Sequence, residues 1–132
     1  MRVLVVGSGG REHALAWKLR RDDPALDIVA APGNPGIAEV ARCVATSSDP
    51  DALVALAERE GVDLVIVGPE APLAAGLADR LQARVIPVFG PTQRAAEIET
   101  SKRFAKALML RAGVPTARSW RSRTRPGRCP RC

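Results

Sequence analysis

Gly7, Gly9 and Gly10 stand within four positions and lead directly into Arg11, Glu12 and His13. Glycines let the backbone turn sharply and let a ligand approach main-chain N–H groups with no Cβ in the way. A helix that starts here leaves its first N–H groups unpaired and partly positive, so an anion is the expected guest, phosphate first. Each charge-assisted hydrogen bond to it contributes about 1.5–3 kcal/mol. Arg11 adds a guanidinium suited to phosphate or carboxylate. Glu70 stands between Pro69 and Pro72, a carboxylate held in place for a sugar hydroxyl or an amine. Asn34, inside Pro32-Gly33-Asn34-Pro35-Gly36, has similar standing. Glu12 falls in the first helical turn, where negative charge is favoured. His13 is either a packing or capping group or a catalytic one. No nucleophile beside His13 suggests a triad, and no carboxylate cluster, metal-ligand cluster or lysine pair for ATP is visible before the tail. The catalytic residues stay unassigned and no metal site is expected.

Two known phosphate-binding turns do not fit. The dinucleotide fingerprint requires G-x-G-x-x-G/A with an acid at the end of the second strand. Gly7-Ser8-Gly9-Gly10-Arg11-Glu12 places a glutamate at the last small position, where it is expected to hinder close helix–strand packing. Asp27 begins the second strand instead of ending it. No Gly-Lys-Ser/Thr follows the glycines, so the P-loop is absent as well. A self-standing nicotinamide oxidoreductase is therefore the weaker alternative.

Val3-Leu4-Val5-Val6 has no alternation and suits a strand buried on both faces. The helix after the glycines is expected to bury a broad face of Ala14, Leu15, Trp17 and Leu19. Asp27–Ala31 reads as a second strand, residues 37–41 as a short helix and residues 43–45 as a short third strand. Ser48 or Asp49 caps a helix with Pro50 in its first turn and Gly61 at its end. Residues 63–67 form the next strand. One helix is expected over 73–82, on Leu73, Leu77 and Leu81. Residues 85–89 form a last strand, which Pro87 places near an edge or at a bulge. Gly90-Pro91-Thr92 opens a short helix through Ile98, and Thr100 or Ser101 caps another over 102–112. The alternation implies a parallel sheet with helices on both faces, whose ligands bind beyond the carboxyl ends of the strands. Four glycine-bearing segments fall there: 7–10, 32–36, 68–72 and 90–92. Their convergence on one rim favours a binding site.

A length of 132 residues suits one domain with a core of its own. No apolar stretch approaches the ~20 residues that span a bilayer, and no signal pattern opens the chain, so a cytoplasmic protein with no membrane partner is expected. The net charge of +6 is concentrated in residues 111–132, with seven arginines and no acid. Residues 1–110 then carry 13 basic groups against 14 acids. Nucleic-acid binding through the arginine tail is a second alternative. A near-neutral body and a single tail aromatic, Trp120, argue against it. Cys43 is expected to be a buried small hydrophobe, and Cys129 and Cys132 an accidental C-x-x-C.

The chain resembles the amino-terminal part of the phosphoribosylamine–glycine ligases (glycinamide ribonucleotide synthetases). The resemblance rests on Val5–Leu15, Ala31–Gly36, Val67–Leu73, Phe89–Thr92, Ser101–Lys106 and Gly113–Arg118, in order. It implies a Rossmann-like α/β domain over residues 1–101 that precedes an ATP-grasp unit beginning at 102–118. The implied reaction joins ATP, glycine and 5-phosphoribosylamine into glycinamide ribonucleotide, ADP and phosphate in purine biosynthesis. The family's first domain helps bind the phosphoribosyl substrate, and Gly9, Gly10, Arg11, Glu70 and Asn34 are the positions carried over. ATP and Mg²⁺ (or Mn²⁺) belong to parts of the family that follow, so neither is expected to bind this chain alone, and turnover by it alone is not expected. Residues 119–132 leave the pattern: they have no apolar period and no acids, as in a message read out of frame. A frameshifted or truncated product with a disordered basic tail is the expectation.

Overall fold

Val3, Leu4, Val5 and Val6 are all buried, with alternate residues entering two different cores, which is why the run lacks alternation. In a computed structural model describing residues 1–117, β1 (Arg2–Gly7) is the central strand of a five-stranded parallel sheet ordered β3-β2-β1-β4-β5. It pairs on one side with β2 (Asp27–Pro32), Val3 opposite Ile28, and on the other with β4 (Leu64–Val67), Val3 opposite Leu64. Two-residue edge strands close the sheet: β3 (Arg42–Cys43) on β2 and β5 (Val88–Phe89) on β4. Residues 118–132, with every arginine of the basic stretch except Arg111 and with the cysteines at 129 and 132, lie outside the described residues.

The larger core joins Leu4, Val6, Val29, Val65 and Val67 to four helices: α3 (Pro50–Glu60), α4 (Glu70–Ala74), α5 (Leu77–Ala83) and α6 (Gln93–Thr100). The opposite face is covered by α1 (Gly10–Asp22) and α2 (Pro35–Ala38). Helices on both faces is thus the architecture that the strand–helix alternation implies. α3 starts where Asp49 accepts the N–H groups of Asp51 and Ala52. It stops at Gly61, whose φ of 58° is left-handed. α7 (Lys102–Arg111), capped by Ser101, packs on α6 and has no fully buried residue.

Several details differ from the sequence expectation. Ala14, Leu15 and Trp17 are exposed. The inward stripe of α1 is Glu12, Ala16 and, half-buried, Leu19, a set spaced i, i+4, i+7. Ala16 packs with Ala30 and Ile37, so the helix lies close to the sheet through small side chains, and Trp17 stacks under the Arg21 guanidinium. The helix expected over 73–82 is two helices, divided at Gly76 with φ 87°, although Leu73, Leu77 and Leu81 are all buried as expected. β5 is shorter than residues 85–89 and lies at the edge where Pro87 placed it. The Pro87 carbonyl still accepts from Val65 N–H, so only its missing donor limits the strand. Val85 instead ends α5 with φ 59°. Cys43 is half-buried against the Ala16–Ala30–Ile37 cluster.

Candidate functional site

The chain builds β1, β2 and β3 outward to one side, then crosses to lay β4 and β5 on the other. The crossover point lies between β1 and β4, and ligands of open α/β sheets bind beyond the strand ends at such a point. The ladder continues past the strands, with Gly68 N–H donating to the Val6 carbonyl at 3.0 Å and Gly33 N–H to the Gly7 carbonyl at 3.1 Å. Three loops are thereby pinned side by side.

A cleft of about 500 Å³ opens above them. Gly7, Ser8 and Gly9 form one wall and Pro69 and Pro72 another. A third wall is formed by the hydroxyl-bearing Thr46, Ser47 and Ser48, of which the sequence singled out only Ser48, and that as a helix cap. Their only sequence signal is that they lead from β3 into the Asp49 cap, where Ser47 Oγ accepts from Asp49 N–H. The rim of four glycine segments is therefore unequal. The turn at 7–9, Pro32, Pro69 and Pro72 line the cleft, whereas Gly90 packs against Leu73 and the 90–92 segment leads into α6.

Glu12 lines the cleft and is 4% exposed. Its Oε2 accepts from Gly9 N–H at 2.7 Å, and its Oε1 accepts from Arg11 Nε at 3.2 Å. This is half of a capping box, because an N-cap glycine has no side chain to return the bond. A glutamate was expected to hinder packing here, and the structure corrects that. A Cβ on Gly7 would come within 2.7 Å of Glu12 Cγ, one on Gly9 within 2.8 Å of its Oε2, and one on Gly68 within 2.5 Å of its Cγ. Three glycines leave room for one carboxylate. The anion site expected at the head of α1 is thus partly filled from within the chain.

Of the residues singled out from the sequence, Gly9 lines the cleft, with its N–H engaged by Glu12. Gly10 opens α1 next to it. The Arg11 side chain is 61% exposed and pairs with Glu12. Glu70 is an exposed first residue of α4, with Pro69 as the N-cap. Asn34 has a local job: Oδ1 accepts from Ile37 N–H and Nδ2 donates to the Ser8 carbonyl, each at 2.8 Å, tying the β2–α2 loop to the glycine turn. Gly10, Arg11, Asn34 and Glu70 stand around the cleft without lining it. The half-buried His13 ring lies over Gly36, where a Cβ would come within 2.5 Å of Cε1. Among the described residues, no three His, Cys, Asp or Glu side chains are grouped to hold a metal, and no helix is long and apolar enough to cross a membrane.

A parallel sheet with this strand order, with helices on both faces and a cleft at its crossover point, defines an α/β domain of the Rossmann-like class. The family model described as "Phosphoribosylglycinamide synthetase, N domain" matches residues 1–99, and the chain belongs to that family. It is 56% identical over 119 residues to the phosphoribosylamine–glycine ligase of Ralstonia nicotianae. With that of Caulobacter vibrioides it shares 57% over 118 residues. Each match covers 89% of this chain and 28% of the relative, so the chain spans little more than a quarter of the relatives it matches. Among solved structures it is similar to the phosphoribosylamine–glycine ligase of Thermotoga maritima, with TM-score 0.65 and 28% identity, covering 89% of this chain and 26% of that one. It is also similar to the N5-carboxyaminoimidazole ribonucleotide synthetase of Thermus thermophilus, with TM-score 0.66 and 26% identity, covering 86% and 31%.

Proposed function

We propose that this chain is the amino-terminal, substrate-binding part of a phosphoribosylamine–glycine ligase. It contributes to holding the phosphoribosyl substrate while ATP and Mg²⁺ (or Mn²⁺) act in the parts of the enzyme that follow. The observation that carries this reading is the cleft at the β1/β4 crossover, lined by Gly7 and Gly9 and by the hydroxyl-bearing residues Ser8, Thr46, Ser47 and Ser48. Hydroxyls and bare glycine backbone suit a sugar that both donates and accepts hydrogen bonds. Arg11, next to that turn and largely exposed, supplies a cation for the phosphate. Gly10, next in the chain, has no Cβ to stand in a ligand's way, and Glu70 offers a carboxylate to a ribose hydroxyl or to the amine. Asn34 holds the Ser8 carbonyl, and so the turn, in place. Among the described residues no group holds a metal, and the proposal places no chemical step on these residues. They bind and orient.

The test is a titration of the 132-residue chain with glycinamide ribonucleotide, followed through backbone amide NMR signals. Saturable shifts confined to residues 7–11, 46–48 and 68–72 are expected. Shifts spread evenly over the surface, or none that saturate, refute the reading.

A further inference from the structure

Glu12 stands where the dinucleotide fingerprint has its last small residue, and its carboxylate is folded back onto the turn that such a residue leaves open to pyrophosphate. We infer that Glu12 is a specificity-determining residue. It serves as the protein's own anion at the head of α1 and closes this turn to phosphate and pyrophosphate. Four observations converge. The Gly9 N–H, a donor that a phosphate at this turn would use, is given to Glu12 Oε2 at 2.7 Å. The side chain cannot be a chance surface rotamer, because it is 4% exposed and fills space left by the missing Cβ atoms of Gly7 and Gly68. Glu12 carries the only charge among the described residues lining the cleft, so an entering phosphate meets a carboxylate and no cation on those walls. Arg11, the cation on the same turn, does not line the cleft and holds that carboxylate at 3.2 Å from outside it.

The helix N-terminus, which by its geometry attracts anions, is therefore already served. The cleft suits the uncharged, hydroxyl-bearing part of a ligand, and the ligand's phosphate is left to cations outside it. In that last step the inference rests on the proposed phosphoribosyl reading; the closure of the turn by Glu12 does not.

The test compares the 132-residue chain with Glu12→Gln and Glu12→Ala. Glu12→Ala completes G-x-G-x-x-A and frees the Gly9 N–H, whereas Glu12→Gln keeps the shape and an acceptor oxygen but removes the charge. Inorganic phosphate and ADP are the probes, the amide signals of residues 7–12 the readout, and thermal melts report whether each variant is folded. Glu12→Ala is expected to bind ADP roughly tenfold more tightly than the wild type, equivalent to about 1.4 kcal/mol. Glu12→Gln is expected to show a smaller rise for both probes. Wild-type binding at residues 7–12 as tight as that of Glu12→Ala overturns the inference, and so does a folded Glu12→Ala with no gain. Should Glu12→Ala fail to fold, Glu12→Gln decides, and no rise in its phosphate affinity is an overturning result. Glycinamide ribonucleotide is titrated in parallel into the wild type. Its failure to bind counts against the proposed function and leaves the Glu12 comparison intact.

Discussion

Gly68→Ala should destabilise the domain through Glu12, and removing Glu12 should rescue much of the loss. Gly68 has no left-handed backbone requirement, so alanine is penalised there by space alone. The new methyl would sit 2.5 Å from both Cγ and Cδ of Glu12, well inside van der Waals contact. Its neighbours on the sheet cannot give way, because Gly68 N–H is held to the Val6 carbonyl at 3.0 Å. Glu12 must therefore leave its pocket and abandon the Gly9 N–H. Loss of a hydrogen bond to a charged group costs about 1.5–3 kcal/mol, and overpacking a tight site costs about 1–3 kcal/mol. If relief of one limits the other, the expected loss is about 2–3 kcal/mol, a large share of the ~5–15 kcal/mol by which domains are stable. Glu12→Ala alone should cost about 2 kcal/mol by the same lost bond. In the double variant the methyl added at position 68 enters space that the carboxylate has vacated. The double loss should fall short of the sum by at least about 1 kcal/mol, the coupling expected of residues in direct contact. Urea unfolding followed by far-UV circular dichroism measures all four corners of the cycle. Gly7→Ala is the control, because φ 129° penalises alanine there whatever Glu12 does, so its rescue should be partial. Additivity within about 0.5 kcal/mol, or a neutral Gly68→Ala, would refute the carboxylate-in-a-glycine-cage account.

Val85, a β-branched residue at φ 59°, ends α5 in the place where glycine usually serves, with Ile86 N–H bonded back to the Leu81 carbonyl. Val85→Gly should raise stability by about 0.5–1 kcal/mol, since a left-handed residue costs about 1–2 kcal/mol and glycine returns part of that as entropy. An unchanged or lower melting temperature would contradict it. Asp49→Ala removes the cap of α3 and should cost about 1 kcal/mol in urea, with no effect expected from Asp49→Ser. The Arg42 guanidinium, hydrogen-bonded to Glu60, holds that carboxyl below its ordinary value of 4.5. A group with a depressed folded pKa adds stability above its unfolded pKa and loses it as pH falls through the folded one. The stability difference between wild type and Arg42→Ala should therefore be constant near neutrality and shrink below about pH 4.5. A difference independent of pH down to the acid transition would show that the pair contributes nothing.

Much of the architecture was legible because its signals are local. Val3–Val6 announced a strand buried on both faces, Ser48 or Asp49 with Pro50 announced a helix start, which the structure places at Asp49, and Gly61 announced its end. Pro87 foretold an edge strand or a bulge for a covalent reason, its missing N–H, and the strand lies at the edge. The face of α1 was misread because hydrophobicity was taken as a guide to burial. Leu15 and Trp17 are apolar and exposed, whereas Ala16 and Glu12 are inside because only a small side chain and a capped carboxylate fit where the helix approaches the sheet. The single helix over 73–82 failed for a similar reason. Its leucines do share a core, but Gly76 at φ 87° breaks the backbone between them.

By itself the sequence determined the parallel sheet, the glycine turns at its carboxyl rim and the family to which the chain belongs, since these follow from short-range pattern and from motifs in order. Only the tertiary structure decided what stands in the cleft. Thr46, Ser47 and Ser48 enter it because β3 and α3 lie on the side of the sheet that brings them there, and no spacing in the chain records that position. The role of Glu12 likewise depends on Gly68, 56 residues later, having no Cβ. A carboxylate can be buried at the head of a helix only where distant backbone makes room and a nearby N–H donates to it, and both conditions are set by how the strands pair.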